Sequence, residues 1–153
     1  MKLSTKGRYA MVALTDIALQ PVDSVVTLME ISQRQDISLP YLEQIFVRLR
    51  RADLVVSTRG PGGGYSLSKS AHEIRVIEVL AAVDETVDPM KKGRGVSGAL
   101  SGSRSQSLTN RLWESLSANI YVFLHQTRLS DIIENGLVPC PALPILFSVV
   151  EEC

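Results

Sequence analysis

Seven residues, Arg59-Gly60-Pro61-Gly62-Gly63-Gly64-Tyr65, constrain the fold more than any other stretch of the chain. They lie between two short β-like runs, Leu54–Thr58 and Tyr65–Ser68, and follow an arginine-rich helical segment. Glycines flanking a proline give a tight hairpin whose tip carries almost no side chain. A bare tip lets the backbone approach a crowded surface, and Arg59 sets a long cationic side chain at its base. A helix-turn-helix followed by such a hairpin is a winged helix. That geometry suits duplex DNA, with a helix in the major groove and the wing tip in the minor groove. The rival reading is a phosphate-cradling nucleotide loop, which follows a strand and opens into a helix. Here Tyr65-Ser66-Leu67-Ser68 alternates as a returning strand, which favours the hairpin.

The segments before the hairpin supply the helices. Tyr9, Val12, Ala13 and Ile17 share one face at helical spacing, broadened by Met11, Leu14 and Ala18, which predicts a largely buried first helix. Thr27-Leu28-Met29-Glu30 reads as a capping box opening a short helix to about Arg34. After a turn at Gln35-Asp36-Ile37, Ser38 is a natural N-cap, and Pro40 falls in the first turn, where a missing N–H costs nothing. Leu39, Leu42, Ile45, Phe46 and Leu49 form the buried stripe of this third helix, while Tyr41, Glu43, Gln44, Arg48 and Arg51 fall away from it.

Beyond the hairpin, Val76, Val79, Leu80 and Val83 predict another amphipathic helix. Asp88–Ser107 then holds four Gly and five Ser with little apolar content, the composition of a flexible loop. From Leu108 onward, Leu112, Leu116, Ile120, Phe123 and Leu124 recur at near-heptad spacing, with Trp113, Tyr121 and Val122 beside them. A helix so apolar on several faces must bury more than one of them, and a second copy across a two-fold axis is the simplest partner. A short helix around Leu129–Glu134 ends at Asn135-Gly136, a C-cap pair.

The fold class expected is therefore mainly α with a small β-hairpin wing: a winged helix-turn-helix plus a long dimerisation helix. The organisation expected is a DNA-binding domain over 1–86, a Gly/Ser-rich loop over 87–107, the dimerisation helix and a short helix over 108–136, and an apolar tail over 137–153.

Charge is distributed to match. The chain has zero formal net charge, yet residues 1–70 hold nine Lys/Arg against six Asp/Glu, and residues 71–153 hold seven against ten. A basic reading head on an acidic body is the pattern of a DNA-binding protein. Asp16 interrupts the first apolar stretch, so the N-terminus does not read as a signal peptide, and the apolar run Leu143–Val150 is too short to span a bilayer. The expectation is a cytosolic protein without membrane contact. An enzyme is not expected: two distant histidines and no histidine-carboxylate-nucleophile pattern supply no convergent catalytic set.

On the recognition helix, Ser38 and Tyr41 can reach phosphate or base, Gln44 can pair bidentately with adenine, and Glu43 accepts only, which favours cytosine N4 and repels phosphate. Arg48, Arg50 and Arg51 suit phosphates, as do Lys2 and the wing residues Arg59, Gly60, Pro61, Gly62 and Gly63. Any one of these arginines alone is better explained by a solvated helix face. Helix, turn, helix and glycine wing together are not.

These residues resemble the iron-sulfur cluster regulators of the IscR type, winged-helix transcription factors that act as homodimers. The resemblance rests on Leu3-Ser4-Thr5-Lys6-Gly7-Arg8-Tyr9-Ala10, Ile37 through Phe46, Arg48-Leu49-Arg50, Arg59 through Tyr65 and Ala82-Val83-Asp84-Glu85. It resumes at Leu108-Thr109 and Leu112-Trp113 and fades past Ile133. It implies a dimeric promoter-binding regulator with a 2Fe-2S cluster held by three cysteines and a histidine ahead of the dimer helix.

The chain departs from the family there. Where Cys-Leu-Thr-His is expected it reads Ser107-Leu108-Thr109-Asn110, and Asp88–Ser107 contains neither cysteine nor histidine. Two readings follow. In the first, a non-standard iron-sulfur site uses Cys140, set between Pro139 and Pro141, with further ligands from a partner subunit, His125, a carboxylate or Cys153. In the second, the protein is a cluster-free winged-helix repressor controlled by a partner protein or metabolite, and Cys140 is an ordinary structural thiol. Other cluster arrangements in the family use an acidic residue near position 8, which is Arg8 here.

Overall fold

The computed structural model describes residues 4–84, 103–134 and 136–137. Element order is α1 (Thr5–Ala18), α2 (Leu28–Gln35), α3 (Leu39–Arg51), β1 (Val55–Thr58), β2 (Gly64–Leu67), α4 (Val76–Ala82), α5 (Arg104–Gln126) and α6 (Leu129–Ile133). It is the mainly α class with a two-stranded hairpin that the sequence predicts. Lys2, Cys140 and Cys153 lie outside the described residues, as do most of the 87–107 loop and of the 137–153 tail.

Helix α1 starts at Ser4, whose hydroxyl accepts from the Lys6 N–H at 3.2 Å. It buries Ala10, Ala13, Leu14 and Ile17. Val12, placed on the buried face by the sequence reading, turns outward instead. Ala10, Ala13, Leu14 and Ile17 share one side of the helix at helical spacing, and Val12 projects from the opposite side. The capping box on α2 is complete: the Thr27 hydroxyl accepts from the Glu30 N–H at 3.2 Å, and Glu30 Oε2 accepts from the Thr27 N–H at 2.7 Å. Asp36 ends α2 in the left-handed region at φ 52°. Ser32 Oγ donates across the turn to the Ile37 carbonyl at 2.6 Å, so the helix-helix angle is fixed by side-chain bonding as well as by packing.

The main core gathers Leu14, Ile31, Leu42, Ile45, Phe46, Leu49, Leu54, Ile74 and Leu129, all fully buried. The hairpin pairs antiparallel in the register Val55↔Leu67 to Thr58↔Gly64. Val26, just before α2, joins it as an isolated bridge, exchanging N–H···O bonds of 2.8 and 2.7 Å with Tyr65. The wing is thereby tied to the body along a second edge.

Helix α5 begins at Arg104, four residues before the apolar repeat that marks it in the sequence, because Ser103 caps it by accepting from the Gln106 N–H at 3.3 Å. Its last turn is docked on α4: the Val76 N–H donates to Thr127 at 3.0 Å, and the Leu129 N–H donates to Ile74 at 2.9 Å. Leu124 packs there with Val76 and Leu80 as a second small cluster. Gly136 closes the end of α6 by donating to the Asp131 carbonyl at 2.8 Å.

Candidate nucleic-acid interface

Helix α3 presents two opposed faces. Leu42, Ile45, Phe46 and Leu49 point into the core. Pro40, Glu43, Gln44, Val47, Arg50 and Arg51 are exposed on the other side. The helix starts at exposed Ser38, whose carbonyl accepts from the Tyr41 and Leu42 N–H groups while its hydroxyl makes no capping bond. The hydroxyl is left at the N-terminal end of the helix, where base-edge contacts are made in helix-turn-helix proteins.

Two expected contact residues are less free than the sequence suggests. Tyr41 does not fall away from the core. It is half-buried, its ring edge-on to Tyr9 of α1 at 5.6 Å and 88°. Arg48 is engaged by the Asp84 carboxylate just beyond α4. Both follow from neighbours that helical periodicity cannot place, namely α1 beside one flank of α3 and the end of α4 beside the other.

Beside this face stands the wing. The Gly63 N–H donates to the Gly60 carbonyl at 2.9 Å, closing a turn with Pro61 and Gly62 at its centre. Gly62 has φ +79°, the requirement of a type II turn with proline at its second position. Arg59, Gly60, Pro61 and Gly62 are all exposed. A Cβ on Gly63 would lie 2.3 Å from the Thr58 carbonyl oxygen, and one on Gly64 would lie 2.5 Å from that of Val26. The run of glycines thus serves the fold of the wing as well as the bareness of its tip.

The supporting frame was not visible in the sequence. Asp16 is 5% exposed and accepts from Arg34 Nε at 3.0 Å, Arg34 Nη2 at 2.6 Å and Gln35 at 2.9 Å. Burial raises its carboxyl pKa, but the hydrogen bonds from Arg34 and Gln35 and the Arg34 charge outweigh it and hold the group below its ordinary value. This bidentate clamp joins α1 to α2. Its only sequence signal is an acidic residue inside an apolar helical stripe.

The residues described around the family's cluster position do not fit an iron-sulfur group. Ser103, Ser107 and Asn110 sit in the exposed first turns of α5, and hydroxyl or amide oxygen is a poor ligand for cluster iron. Among the described residues no group of three His, Cys, Asp or Glu could hold a metal ion. His125 is engaged elsewhere. Arg75 Nη1 lies 2.7 Å from its Nε2, and its ring stacks on Tyr121 at 5.8 Å. The Arg75 guanidinium thus occupies the edge of the ring through which the imidazole would bind iron. His72 faces Glu134 at 3.6 Å. No helix among the described residues is long and apolar enough to cross a membrane.

A helix-turn-helix whose second helix turns a polar, arginine-bearing face outward beside a glycine-tipped hairpin defines a winged-helix DNA-binding regulator. Residues 3–135 match the model of the Rrf2 family, described as iron-dependent transcriptional regulators. The chain belongs to the Rrf2 family, among its IscR-type members, and is a transcriptional regulator rather than an enzyme. It is 67% identical to the HTH-type transcriptional regulator IscR of Cereibacter sphaeroides over 99% of both chains. It is 50% identical to the protein of that name from Pectobacterium carotovorum, over 88% of this chain and 80% of that one. Among solved structures, T. potens IscR superposes with a TM-score of 0.69 at 32% identity, over 90% of this chain and 89% of that one. CymR, the global cysteine regulator of B. subtilis, gives 0.76 at 27%, over 88% and 98%.

Proposed function

We propose that this DNA-binding regulator works in the cytoplasm as a homodimer on pseudo-palindromic promoter DNA. Two copies pair through α5, and each lays α3 in the major groove with its wing in the minor groove. The carrying observation is the outward face of α3 set beside the wing. Ser38, Tyr41, Glu43 and Gln44 take the base edges. Arg48, Arg50, Arg51 and Lys2 take phosphates. Arg59 takes a phosphate at the base of the wing, and Gly60, Pro61, Gly62 and Gly63 enter the minor groove. Half-sites then lie about one helical turn, ~34 Å, apart or at a multiple of it.

Pairing through α5 is supported by its uncovered apolar surface. Leu112 and Phe123 are each 58% exposed, and Leu108, Trp113, Leu116, Tyr121 and Val122 are exposed with them. An apolar surface of this extent on one helix is the mark of an interface. Sedimentation of the wild type should give a dimer and of Leu112→Glu a monomer with weakened operator binding. A monomeric wild type at working concentration removes this reading.

Control by iron-sulfur status is the reading that the iron-dependent family supports. With serine and asparagine at the usual ligand positions, the site is non-standard, and Cys140 is the thiolate it would use. The same serine and asparagine favour the second reading, a cluster-free repressor answering to a partner protein or metabolite. Absorbance of anaerobically purified protein, with iron and sulfide counts, separates the two. Visible bands lost in Cys140→Ser support the first, and a colourless protein from iron-replete anaerobic cells supports the second.

A further inference from the structure

Between the C-terminal half of α3 and the end of α4 lies an open cleft of about 600 Å³, lined by Gln44, Val47, Arg48, Arg51, Ala52, Ala82 and Asp84. Two guanidinium-bearing residues line it from α3, and its one carboxylate is Asp84 from the opposite side. The guanidinium of Arg48 is paired with that carboxylate. The pair is accessible to solvent: the Arg48 side chain is 36% exposed and that of Asp84 76%. Arg48 is also one of the residues assigned above to a DNA phosphate, so the inference rests on that reading and deepens it.

We infer that the Arg48–Asp84 cleft is a seat for a backbone phosphate of duplex DNA, and that Asp84 is its internal occupant, competing with the phosphate for Arg48. The chemistry of the two anions is alike. A carboxylate and a phosphate diester each offer two oxygens to the planar fork of a guanidinium, and each makes a charge-assisted bond. An exposed pair of this kind holds weakly, so exchange for a phosphate is feasible. Arg51, one turn further along α3 and lining the same cleft, supplies a second cation for the incoming phosphate. Asp84 is already largely exposed to water, so displacing it costs mainly its pairing with Arg48. The affinity of the α3 face for DNA is thereby set below what its arginines alone would give.

The backbone makes the test clean. Asp84 sits at φ +59°, in the left-handed region where asparagine is well tolerated, so Asp84→Asn removes the charge with little change of shape. The experiment is a double-mutant cycle of Asp84→Asn and Arg48→Ala in full-length protein. Operator affinity is measured across a salt series by fluorescence anisotropy, and thermal unfolding is recorded for each variant. Competition predicts that Asp84→Asn tightens binding about two- to fivefold and steepens the salt dependence by up to about one phosphate's worth of counterion release. In the Arg48→Ala background the same change should have little effect. Equal tightening in both backgrounds would mean that Asp84 merely repels DNA at long range, and the inference fails. Weakened binding by Asp84→Asn would mean that Asp84 orients Arg48 for DNA, and no change would mean that it does not compete; either overturns it. Failure of the DNA-binding reading itself looks different, since the wild type would then prefer the operator no more than random duplex.

Discussion

The ring of Tyr65 meets that of Phe46 edge-on, with centroids 4.8 Å apart and planes at 61°. Phe46 is fully buried on the inner face of α3, and Tyr65 is a residue of β2, paired with Ser57 and bridged to Val26. One aromatic contact therefore fixes the wing relative to the recognition helix. Tyr65→Phe keeps the ring and should change stability by less than about 0.5 kcal/mol. Tyr65→Ala should cost about 2 kcal/mol through lost burial and the lost ring pair. It should also weaken operator binding several-fold under conditions where the protein remains folded. Urea denaturation and a gel-shift titration report the two effects separately. Unchanged DNA affinity for a folded Tyr65→Ala protein would show that the wing is positioned by its backbone bridge alone.

The glycines of the wing divide into two kinds, and alanine scanning should separate them. Gly62→Ala meets no neighbouring atom but must hold φ +79°, a backbone strain of about 1–2 kcal/mol. Gly64→Ala places a Cβ 2.5 Å from the Val26 carbonyl oxygen, a backbone atom that cannot swing aside. It should break the Val26–Tyr65 bridge and lower the melting temperature more than Gly62→Ala. Amide exchange at Val26 and Tyr65 would locate the damage: faster exchange at both is expected in Gly64→Ala and slow exchange in Gly62→Ala.

What the sequence made legible was what local physics controls. The capping box at Thr27 and Glu30, the proline in the first turn of α3 and the glycine hairpin each depend on residues a few positions apart. What stayed hidden depends on which elements end up adjacent. Helical periodicity puts Tyr41 on the outer face, but α1 brings Tyr9 against it. Arg48 carried an outward helical angle, and only the chain path through α4 sets Asp84 beside it. Val12 reads as part of the apolar stripe of α1, yet the packed side centres on Ala10, Ala13, Leu14 and Ile17. The early start of α5 carries no apolar signal because its first turn is polar and is announced only by the Ser103 cap. Most of the face proposed for DNA could be named from the sequence, but not the contacts that hold it in place.

Asp16 gives the fold an acid-sensitive joint. Its folded-state pKa lies below the ordinary value of 3.8. The sign follows from linkage: a depressed carboxylate contributes stability above its unfolded pKa and loses it as pH falls through the lower folded value. Unfolding free energy should therefore be insensitive to this group at neutral pH and decline below about pH 4. Asp16→Asn keeps the size but gives up the charge-assisted bonds to Arg34, at a cost of about 1–3 kcal/mol near pH 7. The difference between wild type and Asp16→Asn should shrink as the solution is acidified. A gap that stays constant from pH 7 to pH 3 would mean that the Arg34 clamp does not depend on charge.

Arg59 and Glu43 are expected to fail in opposite ways, because one is assigned to the DNA backbone and the other to the bases. Arg59 stands exposed at the base of the wing. Removing it deletes a phosphate-directed charge, so Arg59→Ala should weaken binding to every sequence alike and reduce the magnitude of the salt slope by about one. Glu43 is exposed on the outer face of α3 and can only accept hydrogen bonds. Near DNA its charge opposes the phosphates, and only a donor such as cytosine N4 on a base edge offsets that repulsion. Glu43→Ala should therefore leave the affinity for random duplex equal or tighter while narrowing the gap between operator and random sequence. Competition binding against a panel of single-base operator variants measures both. If Glu43→Ala left the base preference intact at every position while lowering overall affinity, Glu43 would have to support the fold of α3, and the reading of bases would pass to Gln44 and Tyr41.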